Sequence, residues 1–206
     1  MEFTEVVRRR RMVRNYDSDR PVPPEVLEQV LGNAVRAPSA GFSQGWDFVV
    51  LTDPADRAAF WEATADPDSE PDSWLRGIQH APCLILCCSH KGAYLTRYAE
   101  SDKGWTDQDE ARWPVPYWDI DTGMAALLML LTAVDEGLGG LFFGVPPVAH
   151  PAVHAAFGIP DDRNLVGVVS VGYRAPDRKS PSLKRGRREV PQVAHAGRFG
   201  TPFPGR

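Results

Sequence analysis

The densest group of chemically capable residues lies near the amino terminus, where the sequence RRRRMVRNY spans residues 8–16. Five arginines fall within seven consecutive positions there, although the whole chain carries a formal net charge of -4. Three interpretations compete for such a run: a solvated helix face, an arm that binds nucleic acid, or a socket for one small, multiply charged anion. Guanidinium forks match phosphate oxygens in a bidentate manner, which favours the anion socket.

The composition helps to separate these interpretations. The chain has 206 residues, of which 43% are hydrophobic and 24% are charged, as is typical of a single globular domain. Its sequence pI of about 5.7 argues against general affinity for nucleic acid. A second basic stretch, KRGRR at 184–188, lies near the carboxyl terminus. We therefore expect no nucleic-acid partner, and two separated arginine groups that bind one anion.

Several other classes of protein are disfavoured. The acidic residues at positions 2 and 5 and the arginine run argue against a secretory signal, and the longest apolar run, 124–134, is short for a membrane span. The three cysteines (Cys83, Cys87 and Cys88) lack metal-type spacing, and an odd count disfavours a disulfide framework. The five histidines show no metal spacing either. We expect no metal, no membrane and a cytoplasmic location.

The elements that would position these residues alternate between helices and strands. Thr4 would cap a first helix that carries the arginines, Pro24 would begin a second helix, and Asp53 would cap a third. The predicted strands cover 46–52, 82–88, 139–145 and 164–173, and further helices cover 119–136 and 151–158. This mixture predicts an α+β fold whose sheet is covered on both faces.

Two segments do not fit this alternation. Residues 90–118 are charged, rich in Tyr and Trp and without a clear period, which predicts a lid that orders over an occupied site and stacks a flat substrate. The alternative is that these aromatic rings pack against the outside of the sheet. The tail, 174–206, is polar and rich in Pro, Gly and Arg, so it would wrap its own domain or a partner subunit.

Five short sequences occur in a fixed order along the chain. They are the arginine run, PVP at 21–23, APSAGFSQGWDFVV at 37–50, DEGLGGLFFG at 135–144 and KRGRREVPQVAHAGRFG at 184–200. Together they resemble the nitroreductase family of flavin enzymes over about residues 8–198. The resemblance implies one domain, 1–206, with a three-layer α/β/α sandwich around a mainly antiparallel sheet. It also implies a homodimer with FMN at the subunit interface, 90–118 as a lid or insertion, and 174–206 as a dimerisation arm.

The resemblance assigns most of the cofactor contacts to two ends of the chain. Arg10 and Arg11 would hold the FMN phosphate, and Arg14 would lie near the pyrimidine edge of the flavin. The other implied contacts are Pro38, Ser39 and Ala40 from the neighbouring subunit, the backbone around Phe142 and Gly144, and Arg185 and Arg187 over the phosphate. No side chain is assigned as catalytic, because the flavin supplies the chemistry.

The chain departs from the family pattern at positions that bear on specificity. Met12 stands where the family has Ser, and Phe42 stands where it has Asn. An aromatic residue at position 42 predicts a more apolar pocket, because that position faces the flavin in relatives. We predict a substrate pocket of Phe42, Tyr94, Tyr98 and Trp113.

The resemblance also implies the activity. It is that of an FMN-dependent oxidoreductase that passes hydride from NADH or NADPH through flavin N5 to a planar, electron-poor acceptor, of the nitroaromatic or quinone type, by a ping-pong mechanism. Two alternatives stay open at this point. One is a flavin-dependent dehydrogenase or desaturase of a biosynthetic pathway, and the other is a non-catalytic FMN-binding protein.

Overall fold

The computed structural model describes residues 1–177 and 180–204. The helices in these ranges are α1 (Phe3–Arg9), α2 (Pro24–Ala34), α3 (Pro54–Ala63), α4 (Ser73–Gln79), α5 (Lys91–Tyr98), α6 (Tyr117–Asp135) and α7 (His150–Phe157). The strands are β1 (Trp46–Leu51), β2 (Cys83–Ser89), β3 (Gly139–Phe143) and β4 (Asn164–Gly172). They form one sheet in the order β1-β2-β4-β3, and each neighbouring pair is antiparallel.

The sheet separates two hydrophobic cores, as the period of two along a strand requires. All seven residues of β2 are buried. Cys83, Ile85 and Cys87 enter the core under α2 and α6, whereas Leu84, Leu86 and Cys88 enter the core under α3 and α7. Burial raises the pKa of the Cys83 and Cys87 thiols to about 12, so these side chains behave as small hydrophobic groups. The α+β prediction, with a sheet covered on both faces, is confirmed.

Helix α6 is the central element of the first core. In the described ranges it is the one helix that is long and apolar enough to cross a membrane, by length and composition alone. It packs against α2 and all four strands of the sheet, and 56% of its apolar window is buried inside the chain. Its apolar composition is therefore explained by the core that it covers.

The amino-terminal segment differs from the prediction. Helix α1 begins after Glu2, whose carbonyl accepts from the backbone N–H groups of Glu5 and Val6, so Thr4 lies inside the helix and does not cap it. The helix ends at Arg9, and the chain then becomes extended. The physical reason is the free edge of β3: the Val13 N–H donates to the Gly140 carbonyl at 3.0 Å.

Helix α4 was not predicted from the sequence. The Asp72 carboxylate caps it by accepting from the Leu75 N–H at 2.7 Å. Gly77 lies in its middle, where a Cβ atom would collide with the carbonyl oxygen of Arg14. A glycine, usually unfavourable inside a helix, is needed here for close contact between α4 and the arginine segment.

Candidate functional site

The arginine cluster (Arg10, Arg11 and Arg14) lies on the extended segment that follows α1. The segment runs along the edge of β3, where Met12 and Gly140 form a parallel bridge. Gly139 allows this approach, because a Cβ atom there would lie 2.6 Å from Val13 Cγ2. Backbone pairing therefore fixes the positions from which the arginine side chains project.

The positive charges of Arg10 and Arg11 are not neutralised by a described residue. Arg8 and Arg9, on exposed helix α1, both form ion pairs with Glu5. For Arg10 and Arg11, none of the described carboxylates lies within ion-pair distance. The chain thus places Arg8 and Arg9 on a solvated face and leaves the next two arginines available to an external anion.

Arg174 adds a further cation to this region, and the sequence analysis did not assign it a role. Its guanidinium donates to the Leu138 carbonyl at 3.3 Å, and its Nε is buried without a described hydrogen-bond partner. Burial lowers the pKa of Arg174, and the positive charges of Arg11 and Arg9 lower it further. A half-buried arginine among other cations, with a donor unused, is a local excess of positive charge that an anion would relieve.

A cleft of about 690 Å³ lies beside Arg14, and we call it the arginine cleft. Its lining includes Trp74 and Arg76 of α4, and His80, which follows that helix. Pro181 of the tail lines it as well. The volume lies within the range of about 300–1,000 Å³ that is usual for small-molecule sites. The sequence analysis missed Trp74 and Arg76, although the capping Asp72 could have indicated their helix.

The beginning of the tail packs against its own arginine segment. The Arg14 N–H donates to Asp177 Oδ2 at 2.9 Å, and Asn15 Nδ2 donates to the Pro176 carbonyl at 2.9 Å. Arg185 and Arg187 are both exposed. Part of the predicted arm, residues 178–179 and 205–206, lies outside the described residues. Wrapping of a partner by the tail, and closure of Arg185 and Arg187 over a phosphate, stay predictions.

The predicted cofactor turn, Pro38 to Ala40, is held by a buried carboxylate. Asp121 of α6 is only 2% exposed, and its Oδ2 accepts from the Ala40 N–H at 2.8 Å. Ser39 Oγ accepts from the Gln44 N–H at 2.8 Å, which closes the turn. The three residues with positive φ here are Gly41 (62°), Phe42 (58°) and Gln44 (51°). Two of them are not glycine, so the turn is strained and needs this external support.

Two tyrosines of α5 also support this turn. Tyr94 is fully buried, and its hydroxyl donates to Asp121 Oδ2 at 2.8 Å. Burial and the adjacent carboxylate raise the pKa of Tyr94, so the phenol stays neutral and continues to donate. The ring of Tyr98 lies directly over Gly41, where a Cβ atom would be 2.5 Å from it.

Residues 90–118 contain helix α5 and a dense aromatic group, which we call the Trp113 cluster. Its members are Tyr94, Tyr98, Trp105, Trp113, Tyr117 and Trp118. The Trp113 ring lies 4.6–6.0 Å, between centroids, from the other five. Three residues of the predicted substrate pocket, Tyr94, Tyr98 and Trp113, pack against one another here, and Tyr94 is buried. Their contact with a substrate stays a prediction. Phe42, 75% exposed, lies outside the cluster. Closure of the segment over a ligand stays a prediction.

The structure has a second aromatic group on the opposite side of the sheet, around a cleft of about 380 Å³. Phe60 and Trp61 of α3, Trp74 of α4 and Phe143 of β3 line this aromatic cleft, and Gly144 lies at its edge. Phe142 points the other way and packs over Gly167. The predicted positions Phe142 and Gly144 therefore belong to opposite faces of the sheet edge. Sequence reasoning did not find this cleft.

A sequence profile of the Nitroreductase family matches residues 7–173. The chain belongs to the nitroreductase family. It is 28% identical over 174 residues to a candidate NADH dehydrogenase/NAD(P)H nitroreductase of Archaeoglobus fulgidus, covering 84% of this chain and 85% of that protein. It is 33% identical over 196 residues to an iodotyrosine deiodinase of Haliscomenobacter hydrossis, covering 89% and 84%.

A crystal structure of a candidate nitroreductase from Exiguobacterium sibiricum, in complex with FMN, has the same fold. Its TM-score is 0.65 at 20% identity, and the match covers 92% of this chain and 98% of that chain. The resemblance to the nitroreductase family is thus confirmed, and the chain is an oxidoreductase of a family that typically binds FMN. Within the described residues of this nitroreductase-family chain, no group of three or more His, Cys, Asp or Glu side chains could hold a metal ion.

The two halves of the predicted cofactor site lie at opposite ends of α6 in this chain. Asp121, which holds the turn, lies 14 residues before the helix end at Asp135. At 1.5 Å per residue this is about 21 Å. Arg174 contacts Leu138, just beyond that end, so the arginine region and the turn of one chain are widely separated.

Proposed function

We propose that this nitroreductase is an FMN-dependent oxidoreductase that takes electrons from NADH or NADPH and delivers them to a planar, electron-poor acceptor of the nitroaromatic or quinone type. The observation that carries the proposal is the local excess of positive charge at the edge of β3. Arg10 and Arg11 have no described carboxylate partner, and Arg174 has a buried Nε without one. A phosphate monoester has close to two negative charges and several acceptor oxygens, which suit such a set of donors.

The arginine cleft fits the remainder of FMN. Its position beside Arg14 puts a fixed cation where it would stabilise negative charge on a bound ring. Arg76 of α4 lines the same cleft. Gly77, the next residue, allows α4 to contact the Arg14 backbone. Bound FMN would supply the two-electron chemistry, and the chain would supply binding, orientation and electrostatics.

We propose further that the functional unit is a homodimer. The turn from Pro38 to Ala40 is too far from the arginine cluster of its own chain to contact the same small ligand, so a second copy would supply it. Helix α6 also presents exposed apolar side chains, Ile120 and Leu127, which are seven residues apart and therefore lie on one face. Burying that face against a second copy would remove apolar surface from water and bring the missing turn to each site.

A second candidate function is reductive removal of a halogen from an aromatic ring. The 33% identity to a protein named iodotyrosine deiodinase favours it. This activity would use the same FMN and the same two electrons, and it differs in releasing a halide ion. The proposed cofactor residues, including Arg10, Arg11 and Arg14, would have the same function in either case.

The proposal is tested by the cofactor and the steady-state kinetics of the purified protein. We expect a yellow protein that releases a compound with the mass of FMN, and acceptor-dependent oxidation of NADH or NADPH with p-benzoquinone or nitrobenzene. Release of iodide from an iodophenol, with little reduction of either acceptor, would favour the second candidate. A yellow protein without turnover would indicate a storage protein, and a protein that stays colourless after incubation with FMN would contradict the proposal.

A further inference from the structure

We infer that Asp121 is a positioning residue that acts across the subunit interface: in one subunit it fixes the turn that contacts the FMN bound by the arginines of the other. The inference rests on the proposed function, including the homodimer. It assigns to that site a residue that does not itself touch the cofactor, and it gives a function to a carboxylate that is only 2% exposed.

The first step is the backbone of the turn. The Phe42 N–H donates to the Ser39 carbonyl at 2.9 Å, and the Ser43 N–H donates to the Ala40 carbonyl at 3.2 Å. The Ala40 N–H has no described partner inside the turn and donates to Asp121 instead. A turn with a strained, positive φ at Phe42 persists only when its surroundings fix it, and this bond to α6 is part of that support.

The second step is the rigidity of the support. Asp121 lies in α6, the central helix of the first core, and its Oδ2 accepts from the Tyr94 hydroxyl as well as from the Ala40 N–H, both at 2.8 Å. The Tyr94 hydroxyl lies 3.3 Å from Ser39 Oγ, so the carboxylate and the phenol together hold two consecutive residues of the turn. Gly45 lets the Tyr94 ring lie this close, since a Cβ atom there would be 2.6 Å from Tyr94 Cε2. The turn is therefore fixed to the core of the chain.

The third step is the cost of burying a carboxylate. Removing this group from water is unfavourable unless hydrogen bonds compensate for the lost hydration. The next residue of α6, Thr122, is also fully buried, and its hydroxyl donates to the Trp118 carbonyl of the same helix. Asp121 instead bonds to two other elements. An apolar side chain would fill a core position at lower cost, so what the carboxylate adds is the fixed position of the turn.

The fourth step is the subunit on which the turn acts. The 14 residues from Asp121 to the helix end at Asp135 correspond to about 21 Å, which separates the turn from the arginine region of its own chain. The turn would therefore contact the flavin whose phosphate is bound by Arg10 and Arg11 of the second subunit. A turn that is already ordered loses less conformational entropy when it binds. Loss of Asp121 should thus weaken binding of the flavin ring and leave the phosphate contacts unchanged.

The first test separates the turn from the phosphate. The dissociation constants of FMN and riboflavin are measured by fluorescence quenching on the apoprotein and its variants. We expect Asp121→Ala to weaken both flavins about ten-fold and to leave their ratio unchanged, because the arginines still hold the phosphate. Asp121→Asn keeps an oxygen that can accept from Ala40 and Tyr94, so it should retain both affinities within about three-fold.

Two further variants control for stability. Thr122→Val removes a buried hydroxyl from the next position of α6 and should leave both dissociation constants unchanged. Tyr94→Phe keeps the buried ring and removes one donor to Asp121, so it should weaken both flavins about three-fold. It replaces Asp121→Ala in the comparison if that variant does not fold. The melting temperature of each variant verifies that it is folded at the temperature of the titration.

The second test determines in which subunit Asp121 acts. Two differently tagged chains, one with Asp121→Ala and one with Arg10→Ala/Arg11→Ala, are co-expressed, and the mixed dimer is purified through both tags. If Asp121 acts across the interface, one site of this dimer combines all the substitutions and the other has none. Titration with FMN should then give one site of wild-type affinity per mixed dimer.

The possible failures are distinguishable. Unchanged affinity of Asp121→Ala for both flavins, a weakening of FMN alone, or a mixed dimer without a tight site would overturn the inference. If the wild type still binds FMN and oxidises NADH or NADPH with p-benzoquinone in that case, the proposed function stands. If instead the variants and the mixed dimer behave as expected but no acceptor supports oxidation of NADH or NADPH, Asp121 positions the turn of a flavin-binding protein and the proposed oxidoreductase function is wrong.

Discussion

The Trp113 cluster and the aromatic cleft contain similar residues and have opposite structural functions. In the Trp113 cluster the rings pack against one another, and five aromatic ring centroids lie within 6.0 Å of the Trp113 centroid. In the aromatic cleft, Trp61, Trp74 and Phe143 leave about 380 Å³ open. The comparison shows that aromatic content alone does not identify a ligand pocket. The deciding property is whether the rings are already covered by other side chains.

The two groups also act on the proposed site in different ways. The Trp113 cluster supports the strained turn from the inside, through Tyr98 over Gly41 and Tyr94 bonded to Asp121. It would thus affect a bound cofactor only through the position of the turn. In the aromatic cleft the rings border open space, and Trp74 is 38% exposed. Substitutions in the cluster should therefore cost more stability than substitutions in the cleft.

The largest expected effect is on the stability of the Trp113 cluster. Trp113→Ala should lower the free energy of unfolding by about 3 kcal/mol, because it leaves a cavity at the centre of the packed rings. Trp74→Ala is the matched control at the cleft, and it should cost less than about 1 kcal/mol because the ring is already partly exposed. Both values come from urea unfolding followed by circular dichroism. Equal losses for the two variants would remove the distinction between a closed and an open group.

A smaller effect is expected from a single hydroxyl group. Tyr94→Phe leaves the buried Asp121 carboxylate without one of its donors, so unfolding should become easier by about 1–2 kcal/mol. Tyr117→Phe is the control in the same cluster: Tyr117 is 37% exposed and makes no described side-chain hydrogen bond, so the change should stay within about 0.5 kcal/mol. The midpoints of chemical unfolding of the two variants are compared with that of the wild type. If Tyr94→Phe is as harmless as its control, the phenol does not support the turn.

The fold was largely predictable because its elements have strong local signals. The buried run around β2 and the apolar length of α6 predicted a strand and a helix within two residues of their observed bounds. Asp53 caps α3 as predicted, by accepting from the Ala55 N–H. Helix α4 has a capping residue too, Asp72, but it was missed because it is short and contains Gly77. Its position depends on contact with Arg14, which is distant in sequence.

The candidate site was predictable only where neighbours in sequence define it. The arginine run and the turn after Pro38 are continuous segments, and both could be singled out from the sequence. Arg174 and Arg76 could not, because β4 and α4 bring them to the region through tertiary packing. The aromatic cleft was missed for the same reason, since α3, α4 and β3 each contribute part of its wall. Residues 90–118 have no clear sequence period because their aromatic rings pack mainly against one another, and their function as a lid stays a prediction.

The central claim is that Arg10 and Arg11 hold a phosphate, and the most direct test is to measure how much that phosphate contributes to binding. The dissociation constants of FMN and riboflavin, which differ only in the phosphate, are determined by fluorescence quenching for the apoprotein and for two variants. We expect the apoprotein to bind FMN about 100-fold more tightly than riboflavin or better, and Arg10→Ala/Arg11→Ala to lose most of this difference. Arg8→Ala, which removes an arginine already paired with Glu5 on α1, should retain it. Equal affinity of the apoprotein for the two flavins, or an unchanged difference in the double variant, would contradict the account.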